Sequence, residues 1–65
     1  MSISKIKVAR IKKNMTQQEL ATHVKVTRQT IGLIEMRKYN PSLKLCIQIA
    51  KVLEKTLDDL FWEEE

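Results

Sequence analysis

The sequence predicts an all-α domain of five short helices. Three observations carry that reading. Apolar residues recur at spacings of three and four: Ile6 and Ala9; Leu20, Ala21 and Val24; Ile31 and Ile34; Ile49, Ala50 and Leu53. That is the period of a helix with one face turned inward. Two capping boxes, Thr16-Gln-Gln-Glu19 and Thr56-Leu-Asp-Asp59, mark helix starts, because the hydroxyl accepts an otherwise orphaned amide and the acid reaches back. Finally, 43 % apolar residues with one glycine and one proline are too apolar and too poor in breakers for a disordered chain.

Each element follows in order. A first helix is expected over about 4–13 and a second over about 17–24. The second is opened by Thr16, with Met15 and Leu20 at the staple positions. Thr27 opens a third over about 28–36, with Val26 and Ile31 at staple spacing, and Ser42, just after Pro41, opens a fourth over about 43–54. Thr56 opens a last turn over about 57–61, and each cap is worth about 1 kcal/mol. The two ends, Met1-Ser-Ile3-Ser4 and Phe61-Trp62-Glu63, alternate in polarity and leave room for a short terminal β-strand pair.

Sixty-five residues make one small domain spanning the whole chain. A chain of this size buries only about 60 % of its unfolded surface, so a second subunit is the expected source of extra stability. The single cysteine excludes an intrachain disulfide and fits a reducing, cytoplasmic setting. No apolar run exceeds three residues, which leaves nothing to span a bilayer. The net charge of +4 conceals an asymmetry. Residues 1–38 carry nine basic side chains against Glu19 and Glu35, whereas residues 54–65 carry six acids against Lys55. A basic body with an acidic end points one face at a polyanion and the other away from it.

Only Lys25, Val26 and Thr27 separate the second and third helices. So short a connection makes them cross steeply, as in a helix-turn-helix over about 16–36. Ala21 permits the close approach, and Val26, Ile31 and Ile34 fill the angle between them. The opposite face of the third helix stays free. It begins Thr27-Arg28-Gln29-Thr30 and continues through Gly32 and Leu33. Arg and Gln make the bidentate contacts that read guanine and adenine edges in the major groove, and the first turn of a recognition helix is the part that enters it.

Thr16-Gln-Gln-Glu-Leu-Ala21, Val26-Thr-Arg-Gln-Thr-Ile31, Ile34-Glu35 and Asn40-Pro-Ser-Leu43 together resemble the phage-repressor and Cro-type helix-turn-helix family of transcriptional regulators. The resemblance runs from Ile6 to Phe61, and the ending Leu60-Phe61-Trp62 is similar to the minimal dimeric members of bacteria and their mobile elements. It implies a five-helix, lambda-repressor-like domain that binds double-stranded DNA as a homodimer. Carried over by residue, it implies that Gln17 touches backbone phosphate and braces residue 28. Thr27, Arg28, Gln29, Thr30 and Leu33 then face the operator, with Leu33 against a thymine methyl. Arg10 and Glu35 match a buried ion pair tying the first helix to the third. Arg37, Lys38 and Asn40 match a loop that grips phosphate. Ile3, Leu60, Phe61 and Trp62, within a segment over about 57–65, match a dimer interface, with Leu60 and Phe61 also closing the monomer core in part. The family often has glycine where this chain has Asn14, Lys25 and Arg37; a left-handed backbone there costs Lys or Arg roughly 1 kcal/mol. Gly32, inside the third helix, lacks a side chain where close approach to the groove is useful.

Several classes are set aside. One His and one Cys supply no metal-ligand set and no paired nucleophile. Asp58 and Asp59 sit at a helix start, and no glycine-rich phosphate loop exists. The expectation is a non-enzyme with no cofactor and no small-molecule ligand. An antitoxin-like interaction module is the main alternative, but no toxin-wrapping segment follows residue 61. A nonspecific architectural binder would need an apolar wedge on a basic arm.

Overall fold

The computed structural model describes residues 4–62. Five helices succeed one another: α1 (Lys5–Lys12), α2 (Gln17–Val24), α3 (Arg28–Glu35), α4 (Leu43–Leu53) and α5 (Leu57–Phe61). Among the described residues there is no strand. Ser4, in the expected N-terminal strand, caps α1 instead, and Trp62 is extended at φ −80°, ψ 131°. The rest of that expected strand pair, including Ile3, lies outside the described residues.

Every helix begins on a hydroxyl. The side chains of Ser4, Thr16, Thr27, Ser42 and Thr56 accept from the backbone N–H three residues on. In two cases the bond is reciprocated. Thr16 N donates to Glu19 Oε1 at 2.8 Å and Thr56 N to Asp59 Oδ2 at 3.1 Å. These are the two boxes read in the sequence.

The helix ends share a device as well. Asn14, Lys25, Arg37 and Glu54 all have φ between 55° and 62°. After each, the chain folds back so that the next N–H reaches the carbonyl five residues earlier: Met15 to Arg10, Val26 to Ala21, Lys38 to Leu33 and Lys55 to Ala50. This left-handed cap closes the orphaned carbonyls of a helix end and is usually made by glycine. Three of the four positions are the ones where the family often has glycine. Glu54, the fourth, was not expected.

One core joins all five helices. Leu20, Ile31, Ile49 and Leu53 are fully buried at its centre, with Ile6, Ala9, Val24, Ile34 and Ala50 around them and Met15 and Val26 packed on its edge. The α2–α3 pair makes the most extensive helix–helix contact. Leu60 belongs to this core as well. It is 6 % exposed, because the single turn of α5 lies against α1 and α4 and directs that side chain into the core.

Candidate nucleic-acid interface

The α2–α3 contact fixes what α3 can show. Ile31, Ile34 and Glu35 face inward, and Thr27, Arg28 and Gln29 are exposed at its start. Thr27 Oγ1 accepts from Thr30 N at 3.1 Å and lies 2.9 Å from Thr30 Oγ1. These two hydroxyls are thus committed first to capping. The Gln29 side chain makes no hydrogen bond among the described residues, so its amide is free to reach a base edge.

Arg28 is held differently. Its Nη1 donates to Gln17 Oε1 at 3.4 Å, and Gln17 Nε2 donates in turn to Glu35 Oε1 at 3.1 Å. Glu35 also accepts from Arg10 Nε at 2.7 Å and Arg10 Nη2 at 3.2 Å, while Arg10 Nη1 donates to the Met15 carbonyl at 2.7 Å. A continuous chain therefore runs from the end of α1 through the buried Arg10–Glu35 pair to the exposed guanidinium of Arg28. The carboxylate draws the NH₂ of Gln17 inward, which turns its oxygen outward as an acceptor. That orientation suits a cation such as Arg28. It would repel a phosphate, so any phosphate contact of Gln17 falls to its second amide proton or to its backbone N–H in the first turn of α2.

Downstream on α3, Gly32 and Leu33 are half-buried and Met36 is 58 % exposed. A Cβ built on Gly32 meets only Gln17 Nε2, at 3.8 Å, an ordinary contact. Nothing inside the protein thus requires glycine there. Arg28, Gln29, Gly32, Leu33 and Met36 line one side of an open depression of about 750 Å³ whose other wall is Ser4 and Lys7 of α1, with Gln17 and Glu35 beneath. Met36 was not singled out in the sequence. Met36 was recoverable, because 29, 32/33 and 36 form a helical stripe.

The expected phosphate loop is not gathered into that depression. Arg37 and Asn40 line a second one of about 190 Å³ with Ser4, Ile6, Tyr39, Pro41 and Phe61. Lys38, between them, is exposed. Of the expected dimer residues, Phe61 is half-buried and Trp62 is 62 % exposed. Lys5 Nζ donates to the Trp62 carbonyl at 2.8 Å and so ties the end of α5 to α1.

Titration follows the caps. The Thr16 amide and hydroxyl hold Glu19 below its ordinary value, as Thr56 does for Asp59, and Lys13 does the same for Glu54. Burial raises the Cys46 thiol. Among the described residues no group of His, Cys, Asp and Glu could hold a metal ion, and no helix is long and apolar enough to cross a membrane.

Residues 6–60 match a family model described as helix-turn-helix. A protein of Archaeoglobus fulgidus named as an HTH-type transcriptional regulator is 50 % identical over 62 residues, covering 95 % of this chain and 87 % of its own. A protein of the same designation from Methanocaldococcus jannaschii is 45 % identical over 62 residues, and one from Bacillus subtilis is 40 % identical over 62. In both, 95 % of this chain and 94 % of the relative are covered.

Proposed function

The chain belongs to the helix-turn-helix family, and on that premise we propose that it is a sequence-specific regulator of transcription that binds double-stranded DNA. It acts as a homodimer on a near-palindromic operator and represses by occluding a promoter. The observation that carries this reading is the exposure of Arg28 and Gln29 on the first turn of α3, with Arg28 held in place by Gln17. Arg28 and Gln29 read base edges in the major groove. Leu33 packs on a thymine methyl, and Thr27 and Thr30 complete the contact face. Lys38, with Arg37 and Asn40 in the same loop, takes backbone phosphate, as does the first turn of α2 at Gln17. The nucleoid of the cytoplasm is where such a duplex is met.

Size supports pairing. The molecule measures 32 × 22 × 22 Å and offers one α3. Two half-sites on one face of a duplex lie about 34 Å apart, so reading both takes two copies. Phe61 and Trp62 supply the surface between them.

Selection of bound sequences from a random duplex pool tests the proposal. The expected product is two half-sites in inverted repeat. Arg28→Ala and Gln29→Ala keep the wild-type melting temperature and lose about 1–3 kcal/mol of discrimination at the bases they read. Unchanged discrimination in both variants would refute the assignment.

A further inference from the structure

The geometry points to Lys7, on the first turns of α1, as a phosphate contact that forms the second wall of the DNA-binding cleft. This inference rests on the DNA-binding reading above and adds a residue to it. The three lysines of α1 and Lys13 at its C-cap are not equivalent. Lys5 donates to the Trp62 carbonyl, and Lys13 pairs with Glu54 at 2.7 Å. Lys12 stands over a different depression, with Lys55, Asp59 and Leu60. Lys7 alone borders the depression that also holds Arg28, Gln29 and Leu33. It is exposed, and its ammonium makes no hydrogen bond or ion pair among the described residues.

Helical spacing explains the placement. Lys7 lies three residues before Arg10, so the two share a face of α1, and Arg10 is the side chain that reaches Glu35 on α3. The one carboxylate in the depression, Glu35, is already matched by Arg10 and Gln17. What remains toward solvent is cationic on both walls, Lys7 on one and Arg28 on the other. A groove some 750 Å³ in volume, open to solvent and basic on both sides, fits a strand of the duplex. When α3 enters the major groove, the strand bordering that groove lies along α1, and its phosphate meets Lys7.

The salt dependence of binding tests this. Wild type, Lys7→Ala, Lys7→Arg and Lys12→Ala are titrated against a random-sequence duplex and a duplex recovered by selection, with melting temperatures measured alongside. One phosphate contact contributes about 0.9 to the slope of log K against log salt, which is about eightfold in affinity near 0.1 M salt. Lys7→Ala is expected to lose that much on both duplexes, Lys7→Arg to recover it, and Lys12→Ala to keep the wild-type slope. An unchanged slope in Lys7→Ala overturns the assignment, as does an equal loss in Lys12→Ala, which would reduce the effect to net charge. If Arg28→Ala still loses discrimination in those cases, the DNA-binding reading stands and this inference alone falls. A wild-type chain that binds neither duplex removes both.

Discussion

Glu35 is 8 % exposed and accepts from three donors on two side chains. Burying an ion pair gains little by itself, but removing one partner leaves an uncompensated charge that costs about 3–5 kcal/mol. Glu35→Ala strands Arg10 and is expected to lower stability by that amount in a thermal melt. A wild-type melt would mean that Arg10 finds water or another acceptor at no cost. Gly32 makes the opposite kind of test. Glycine within a helix costs about 1 kcal/mol relative to alanine, and the structure has room for a methyl there. Gly32→Ala is therefore expected to melt higher and to bind duplex DNA more weakly, because the methyl stands on the face turned to the groove. Higher stability with unchanged binding would show that nothing approaches that backbone. At this scale the sequence was legible unevenly. Arg28 and Gln29 stood out by type and position. The Arg10–Glu35 pair came from resemblance, since no local rule links residues 25 apart. The tie from Gln17 to Glu35 was hidden for the same reason, and so was the proximity of Lys7 to α3.

The helices themselves are specified at their ends. Eight-residue segments such as α1–α3 are too short for any of them to stand alone. Hydroxyl caps at the start and left-handed residues at the finish set where each begins and stops. That is why the expected boundaries over 17–24 and 57–61 coincide with α2 and α5 and the others shift by a residue or so at an end. Lys13, Met36 and Glu54 close the helices they were expected to continue. The boxes also fix a pH dependence. Glu19 and Asp59 lie below their ordinary values of 4.5 and 3.8 because the fold supplies cap amides and hydroxyls that favour the ionised form. A carboxylate with a depressed folded value contributes stability that is present above its unfolded value and lost as pH falls through the folded one. The melting temperature is therefore expected to drop once pH falls below about 4.5, and Glu19→Gln to start lower and drop less. A Glu19→Gln curve parallel to wild type would show that the box does not titrate with folding.

For the molecule as a whole, charge and shape divide the labour. Basic side chains gather on α1 and in the loop after α3, with Arg28 alone on α3, and the acids gather after Leu53. Leu60, Phe61 and Trp62 grade from buried through half-buried to exposed, so only the last two have area for a second copy. Sedimentation of Trp62→Ala is expected to show a larger monomer fraction than wild type, with the fold intact; no change would take Trp62 out of the interface. The five-helix architecture was readable because period, caps and spacing agree along the chain. How the burden falls among Leu60, Phe61 and Trp62 was less readable, since one helical turn carries too few residues to define a face.

Because Arg28 donates to Gln17, which in turn donates to the carboxylate that anchors α1, the route to a new target sequence is uneven. Replacing Arg28 leaves the oxygen of Gln17 without its cation while the Arg10–Glu35 pair behind it stays whole, whereas the Gln29 side chain has no such partner. Descendants that drift to other operators should therefore change at position 29 first, with 28 kept as the fixed point about which their vocabulary varies.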